Sequence, residues 1–149
     1  MANQSKPNHG ATIRSTSASS ISEVVSHGQT KDKKSWHNYA TVTESVATKI
    51  KQDGGPDIRG YTHRIEAGIV RKILRKHSTD PLPITKDDFE KLPEIVSSPD
   101  LVAESPKKTG TGLAAIQYEK RCNGTTFVVE EVRTGHGRLA LKTMYKRPS

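Results

Sequence analysis

Apolar residues recur at three- and four-residue intervals from Trp36 through Tyr39, Val42, Val46, Ala47 and Ile50, which predicts an amphipathic helix over residues 36–52. Asp53-Gly-Gly-Pro56 ends it. A second helical stripe runs through Ile65, Ile69, Val70, Ile73 and Leu74, while Arg64, Arg71, Lys72, Arg75 and Lys76 cover the other faces. Thr85-Lys-Asp-Asp88 is a variant capping box, with Asp where Glu or Gln is usual, and it opens a short helix carrying Phe89 and Leu92. Pro93 and Pro99 bracket a further turn. From Leu101 the period becomes two, so 101–103, 113–121, 125–133 and 138–146 read as strands, with Asn123-Gly124 a strong hairpin signal and Thr134-Gly-His-Gly137 a longer one. Helices first and a meander afterwards predict an α+β domain. Its N-terminal helices would pack on one face of a C-terminal antiparallel sheet of about four strands, leaving the other face open. On the last strand alternation groups Leu139, Leu141, Thr143 and Tyr145 against Ala140, Lys142, Met144 and Lys146, without deciding which set meets the helices.

Composition divides the chain. Residues 1–35 contain 8 Ser and 3 Thr and few apolar side chains, the composition of a flexible linker or tail, so the folded domain is expected over 36–149. Over all 149 residues only 32% are hydrophobic and the net charge is +8, which favours anionic partners without naming one. No apolar run approaches the roughly 18 residues of a membrane span, and no signal-peptide core is recognisable, so a soluble chain is expected. The single cysteine, Cys122, excludes an internal disulfide and a cysteine zinc site. With no HExxH, no clustered His/Asp set and no Walker motif, neither a metal nor an organic cofactor is expected. Gly110-Thr-Gly112 after Lys107-Lys108 reads as a loop, and Asn123-Gly-Thr125 as a turn rather than a glycosylation site.

The segment Glu130-Glu-Val-Arg-Thr-Gly-His-Gly-Arg-Leu-Ala-Leu-Lys-Thr-Met-Tyr-Lys146 is the most specific feature of the chain. It is preceded by Tyr61-Thr-His-Arg-Ile65, the Arg75-Lys-His77 helix end, the Pro83-Ile-Thr-Lys-Asp-Asp88 cap and Ser98-Pro-Asp100. In order and spacing these five segments, over about residues 57–147, resemble the phage-associated branch of the superfamily grouping barnase, EndoU, colicin tRNases and RelE. The resemblance implies a small helix-plus-sheet nuclease, usually aimed at RNA and carried as a toxin tip behind a variable linker.

Metal-independent RNases need one group to deprotonate the 2′-hydroxyl, one to protonate the leaving 5′-oxygen, and cations on the phosphoryl oxygens. Two clusters supply such groups: the basic helix with His63 and His77, and the last hairpin with Glu131, Arg133, Arg138, Lys142, Thr143 and Tyr145. On one unbroken helix the two histidines would stand about 21 Å apart at ~1.5 Å per residue, so either the helix begins after His63 or one histidine is structural. His77 is favoured because it follows Arg75 and Lys76 at the helix end and matches the family's basic-residue-His position, although a helix C-terminus also attracts histidine through its dipole. Arg133 would clamp phosphate with its planar fork, or simply pair with a neighbouring carboxylate. Lys142 would act as a point charge, Thr143 as a donor to phosphate, Tyr145 as a base-stacking or phosphate-binding group, and Arg138, Arg75 and Lys76 as substrate contacts. Glu131 is the candidate general base, as a glutamate is in barnase-like relatives, but Glu130 beside it points to the opposite face and alternation does not choose between them. His136, in its glycine-flanked turn, has no expected role.

The expected function is therefore a metal-independent ribonuclease toxin cutting tRNA or another structured RNA in a bacterial cytoplasm, delivered by a secreted carrier or phage particle. Its expected partners are that RNA and an acidic immunity protein. A non-catalytic RNA- or DNA-binding module and a phage-particle accessory protein are the alternatives.

Overall fold

The computed structural model describes residues 16–30, 34–105, 115–134 and 136–149. The Lys107-Lys108 and Gly110-Thr-Gly112 loop, and the first fifteen residues of the expected tail, lie outside them. Seven strands form one mixed sheet: β1 (Thr16–Ser17), β2 (Ser35–Thr41), β3 (Thr62–Glu66), β4 (Leu101–Glu104), β5 (Ala115–Cys122), β6 (Thr125–Thr134) and β7 (Arg138–Pro148). Their order is β1-β2-β3-β7-β6-β5-β4, with β1/β2 and β3/β7 parallel and the other pairs antiparallel. Among the described residues four helices accompany them, α1 (Ile21–Gln29), α2 (Glu44–Gln52), α3 (Ala67–Lys76) and α4 (Leu92–Ser97), together with a 3-10 helix over Lys86–Lys91.

The α+β class and the C-terminal meander are as the pattern predicts, but the sheet has seven strands instead of about four. The additional strands come from sequence that reads as helix or tail. Ser35–Thr41 is half-buried along most of its length and bulges between Asn38 and Ala40, so its alternation is blurred and Trp36, Tyr39 and Val42 fall at helical spacing. In β3, His63 and Ile65 are fully buried while Thr62, Arg64 and Glu66 are not, a clear period of two. Ile65, Ile69 and Ile73 mimic one helical stripe because α3 begins directly where the strand stops.

Residues 21–29 also depart from the expected tail. Ser20 caps α1 by accepting from the Glu23 amide, and Glu23 in turn accepts from the amide and hydroxyl of Ser19. Ile21, Val24 and Val25 join the main core, and α1 lies so close to α3 that a Cβ on Gly28 would stand 2.8 Å from the Ala67 carbonyl oxygen. Four buried positions suffice to dock a nine-residue helix despite its polar surroundings.

The core joins Ile65, Ile116, Tyr118, Val129, Leu139, Leu141 and Met144 of the sheet to Val24, Val70, Ile73, Phe89, Leu92 and Ile95 of the helices. At the start of the 3-10 helix, Thr85 and Asp88 form the expected capping box, and the Asp88 carboxylate also meets Lys146 at 2.8 Å. Asn123 and Gly124 both have positive φ (51° and 81°), as a two-residue hairpin turn requires. Gly124→Ala is expected to cost about 1–2 kcal/mol because L-residues resist this conformation, measured as a lower urea midpoint with an unchanged slope.

Candidate active site

The site is organised by an irregularity in the β6/β7 pair. Glu130 faces Thr143 and Glu131 faces Leu141, so Lys142 is an extra residue on β7. In such a bulge two residues confront one partner and the side-chain alternation is reset. Leu139 and Leu141 before it, and Met144 after it, all enter the core, leaving Thr143 and Tyr145 on the opposite, open face with Glu130. Lys142 turns to the same carboxylate, its Nζ 3.1 Å from Glu130 Oε1. Simple alternation had grouped Thr143 and Tyr145 with the two leucines, and the bulge separates them.

A cleft of about 370 Å³ opens beside the bulge. Gln117, Glu130, Lys142, Thr143 and Tyr145 supply its sheet side, Lys72, Ile73, Lys76 and His77 come from the end of α3, and Ser105 donates to Glu130 Oε2 at 3.2 Å. His77 is the C-cap of α3. Its Nδ1 lies 2.7 Å from Asp80 Oδ2, and its ring stacks on Tyr145 with centroids 5.9 Å apart and planes 28° from parallel. With Nδ1 turned to Asp80, the other ring nitrogen is Nε2. That nitrogen is shielded by the residues around it and has no hydrogen-bond partner among the described residues. Three lysines and one carboxylate, itself paired with Lys142, make the cleft a cationic pocket that carries acid–base groups. A larger crevice of about 620 Å³ lies between α2 and β4, but among the described residues Asp53, Asp100, Glu104 and Glu119 line it against one cation, Lys49, which disfavours phosphate there.

His63 and Glu131, also candidates from sequence, meet each other elsewhere. Both are fully buried on the helix-covered side of the sheet, with His63 Nδ1 2.9 Å from each Glu131 oxygen. Tyr118 donates to Glu131 Oε1 at 2.7 Å, and the Tyr39 hydroxyl stands 3.5 Å from Oε2. Tyr39 stacks on the imidazole and Tyr118 meets it edge-on. The helix does begin after His63, but the chain then places this histidine under the helices, where neither it nor Glu131 reaches a phosphodiester. Burial first, and the neighbouring Glu131 carboxylate second, raise the Tyr39 and Tyr118 hydroxyls well above the ordinary 10.0. Raised acids stay protonated in the folded state while the unfolded chain ionises, so stability present below pH 10 is lost as pH rises beyond it. A pH series of urea melts should show this alkaline loss, and Tyr118→Phe should make it shallower.

The remaining candidates divide between the faces. Arg133 pairs with Leu139 and lies on the core side at the far end of β6, outside the cleft, as do the exposed Arg75 and His136. Arg138 lies on the open face, farther along β7. Lys76, His77, Lys142, Thr143 and Tyr145 come together in the cleft. Asp80, Ser105, Gln117 and Lys72 are not among the candidates from sequence, which names Glu131 without choosing between it and Glu130. Asp80 was the most accessible of these, three residues beyond a histidine at a helix end. Gln117 and Ser105 depend on strand register and carry no local signal.

A small α+β domain with an imidazole, a carboxylate and several lysines on the open side of its sheet is suited to the chemistry of phosphate esters. The chain belongs to the phage-Barnase-EndoU-ColicinE5/D-RelE like nuclease3 family, whose profile matches residues 40–149, and it is therefore a nuclease-family domain. No curated protein and no solved structure matches it.

Proposed function

We propose that the chain is a metal-independent endoribonuclease whose active site is the His77 cleft. The observation that carries this reading is the convergence of His77, backed by Asp80, with Glu130 and three lysines in one pocket on the open face. Glu130 takes the proton of a 2′-hydroxyl as its oxygen attacks the adjacent phosphorus. The bond from phosphorus to the 5′-oxygen breaks, and His77 Nε2 delivers a proton to that oxygen. Asp80 stabilises the imidazolium that holds this proton. Lys142, Lys72 and Lys76 balance charge on the phosphoryl oxygens, and Thr143 and Tyr145 offer hydroxyl donors. The products are a 2′,3′-cyclic phosphate and a 5′-hydroxyl.

As a toxin of this kind the domain would act on tRNA or another structured RNA in a bacterial cytoplasm. An acidic immunity protein covering the lysines would hold it inactive in its producer.

The test is incubation of the purified protein with total RNA in EDTA, with the fragment ends identified. Fragments ending in 2′,3′-cyclic phosphate are the expected result. Intact RNA, or cleavage only after a divalent ion is restored, would overturn the reading. RNA binding that weakens steeply with salt and gives no product would mark a non-catalytic binding module.

A further inference from the structure

The open face continues beyond the cleft. In β3 Arg64 lies between the buried His63 and Ile65, so it projects from the side of the sheet away from the core. It pairs with Ala140 of β7 and Asn38 of β2, while Arg138 pairs with Thr62, two residues along on the same face. From Ala140 to Thr143 is about 10 Å of strand at ~3.3 Å per residue, so Arg64, Arg138, Lys142 and Thr143 form one track leading into the cleft.

At its outer end the Arg64 guanidinium carbon sits 3.9 Å from the centre of the half-buried Trp36 ring, and its Nε donates to Asn38 Oδ1 at 2.9 Å. Neither Arg64 nor Arg138 has an ion pair among the described residues. Burial, and then the charge of Arg138, hold the Arg64 guanidinium below its usual value, while Glu66 pulls the other way. Two cations on one face of the sheet, close enough to disfavour each other's charge and without a salt bridge, are relieved by an anion near them. An indole already flanked by a guanidinium offers stacking surface to a nucleobase.

We propose that Trp36, Arg64 and Arg138 form a subsite for the single-stranded RNA adjoining the scissile bond, with a base stacked at the Trp36–Arg64 pair and a phosphate at Arg138. This rests on the ribonuclease reading of the cleft and extends it. Trp36 precedes the segment that the family profile matches, whereas Arg64 and Arg138 lie inside it.

Trp36 is the only tryptophan, so its fluorescence reports this position alone. The probe is a 2′-O-methyl oligoribonucleotide, which has no free 2′-hydroxyl and survives the titration. Saturable quenching is expected, with affinity falling about tenfold in Arg64→Ala. Inorganic polyphosphate, a polyanion without bases, should quench far less. Steady-state cleavage of a longer RNA by Arg64→Ala and Arg138→Ala should show a raised KM with kcat within about twofold of wild type. Absent quenching, equal quenching by polyphosphate, or an unchanged KM in both variants would overturn the subsite. Cleavage without quenching would leave the ribonuclease reading intact. Quenching without cleavage would remove that reading and leave a single-strand binding surface.

Discussion

Replacing His77 with alanine is expected to lower the rate of RNA cleavage by about 10²- to 10⁴-fold, the usual contribution of one positioned acid–base group. The imidazole is in the cleft, its Nδ1 is turned to Asp80, and its Nε2 has no hydrogen-bond partner among the described residues, so in the proposed mechanism no described neighbour would replace the proton it delivers. RNA affinity should change little, because the lysines and the open face remain. Single-turnover cleavage and filter binding on the same preparations separate the two quantities. Asp80→Asn should move kcat in the same direction by less, since it removes the charge behind the imidazolium but leaves the ring in place. A His77→Ala protein that cuts at the wild-type rate would remove His77 from the mechanism.

The largest effect on stability is expected at Glu131. Its carboxylate is fully buried and accepts from Tyr118 while facing His63 Nδ1 through both oxygens. Glu131→Ala leaves His63 and Tyr118 without that partner in a site closed to water. Breaking a buried pair by removing one member typically costs about 3–5 kcal/mol. Against the roughly 5–15 kcal/mol that holds a domain folded, such a loss should be obvious in urea melts. Activity per folded molecule should stay near wild type, because the pair lies on the helix-covered side of the sheet. A small change in stability with a large loss of rate would instead make Glu131 part of the chemistry.

These two residues show what the sequence carries locally and what only the fold decides. The place of His77 at the end of a basic helix was legible because the basic turn and the C-terminal cap are both local features. The Asn123-Gly124 turn, the Thr85–Asp88 box and the meander were legible for the same reason: each depends on neighbours in the chain. Glu130 and Glu131 were not separable, since adjacent strand residues point to opposite faces and only the tertiary fold decides which face receives helices. The bulge at Lys142 has no sequence signature, yet it alone puts Thr143 and Tyr145 on the face opposite Leu139 and Leu141. β2 and β3 were obscured because strands running into helices or bulges keep too few alternating positions to outweigh a helical spacing across the junction.

The neighbouring glutamates give the most direct test. Glu130→Gln and Glu131→Gln should be compared for single-turnover RNA cleavage, each rate normalised to its folded fraction. A loss of about 100-fold or more is expected for Glu130→Gln and a change within a few fold for Glu131→Gln. The opposite order would contradict this, placing the chemistry at the buried His63–Glu131 pair and not in the cleft on the open face.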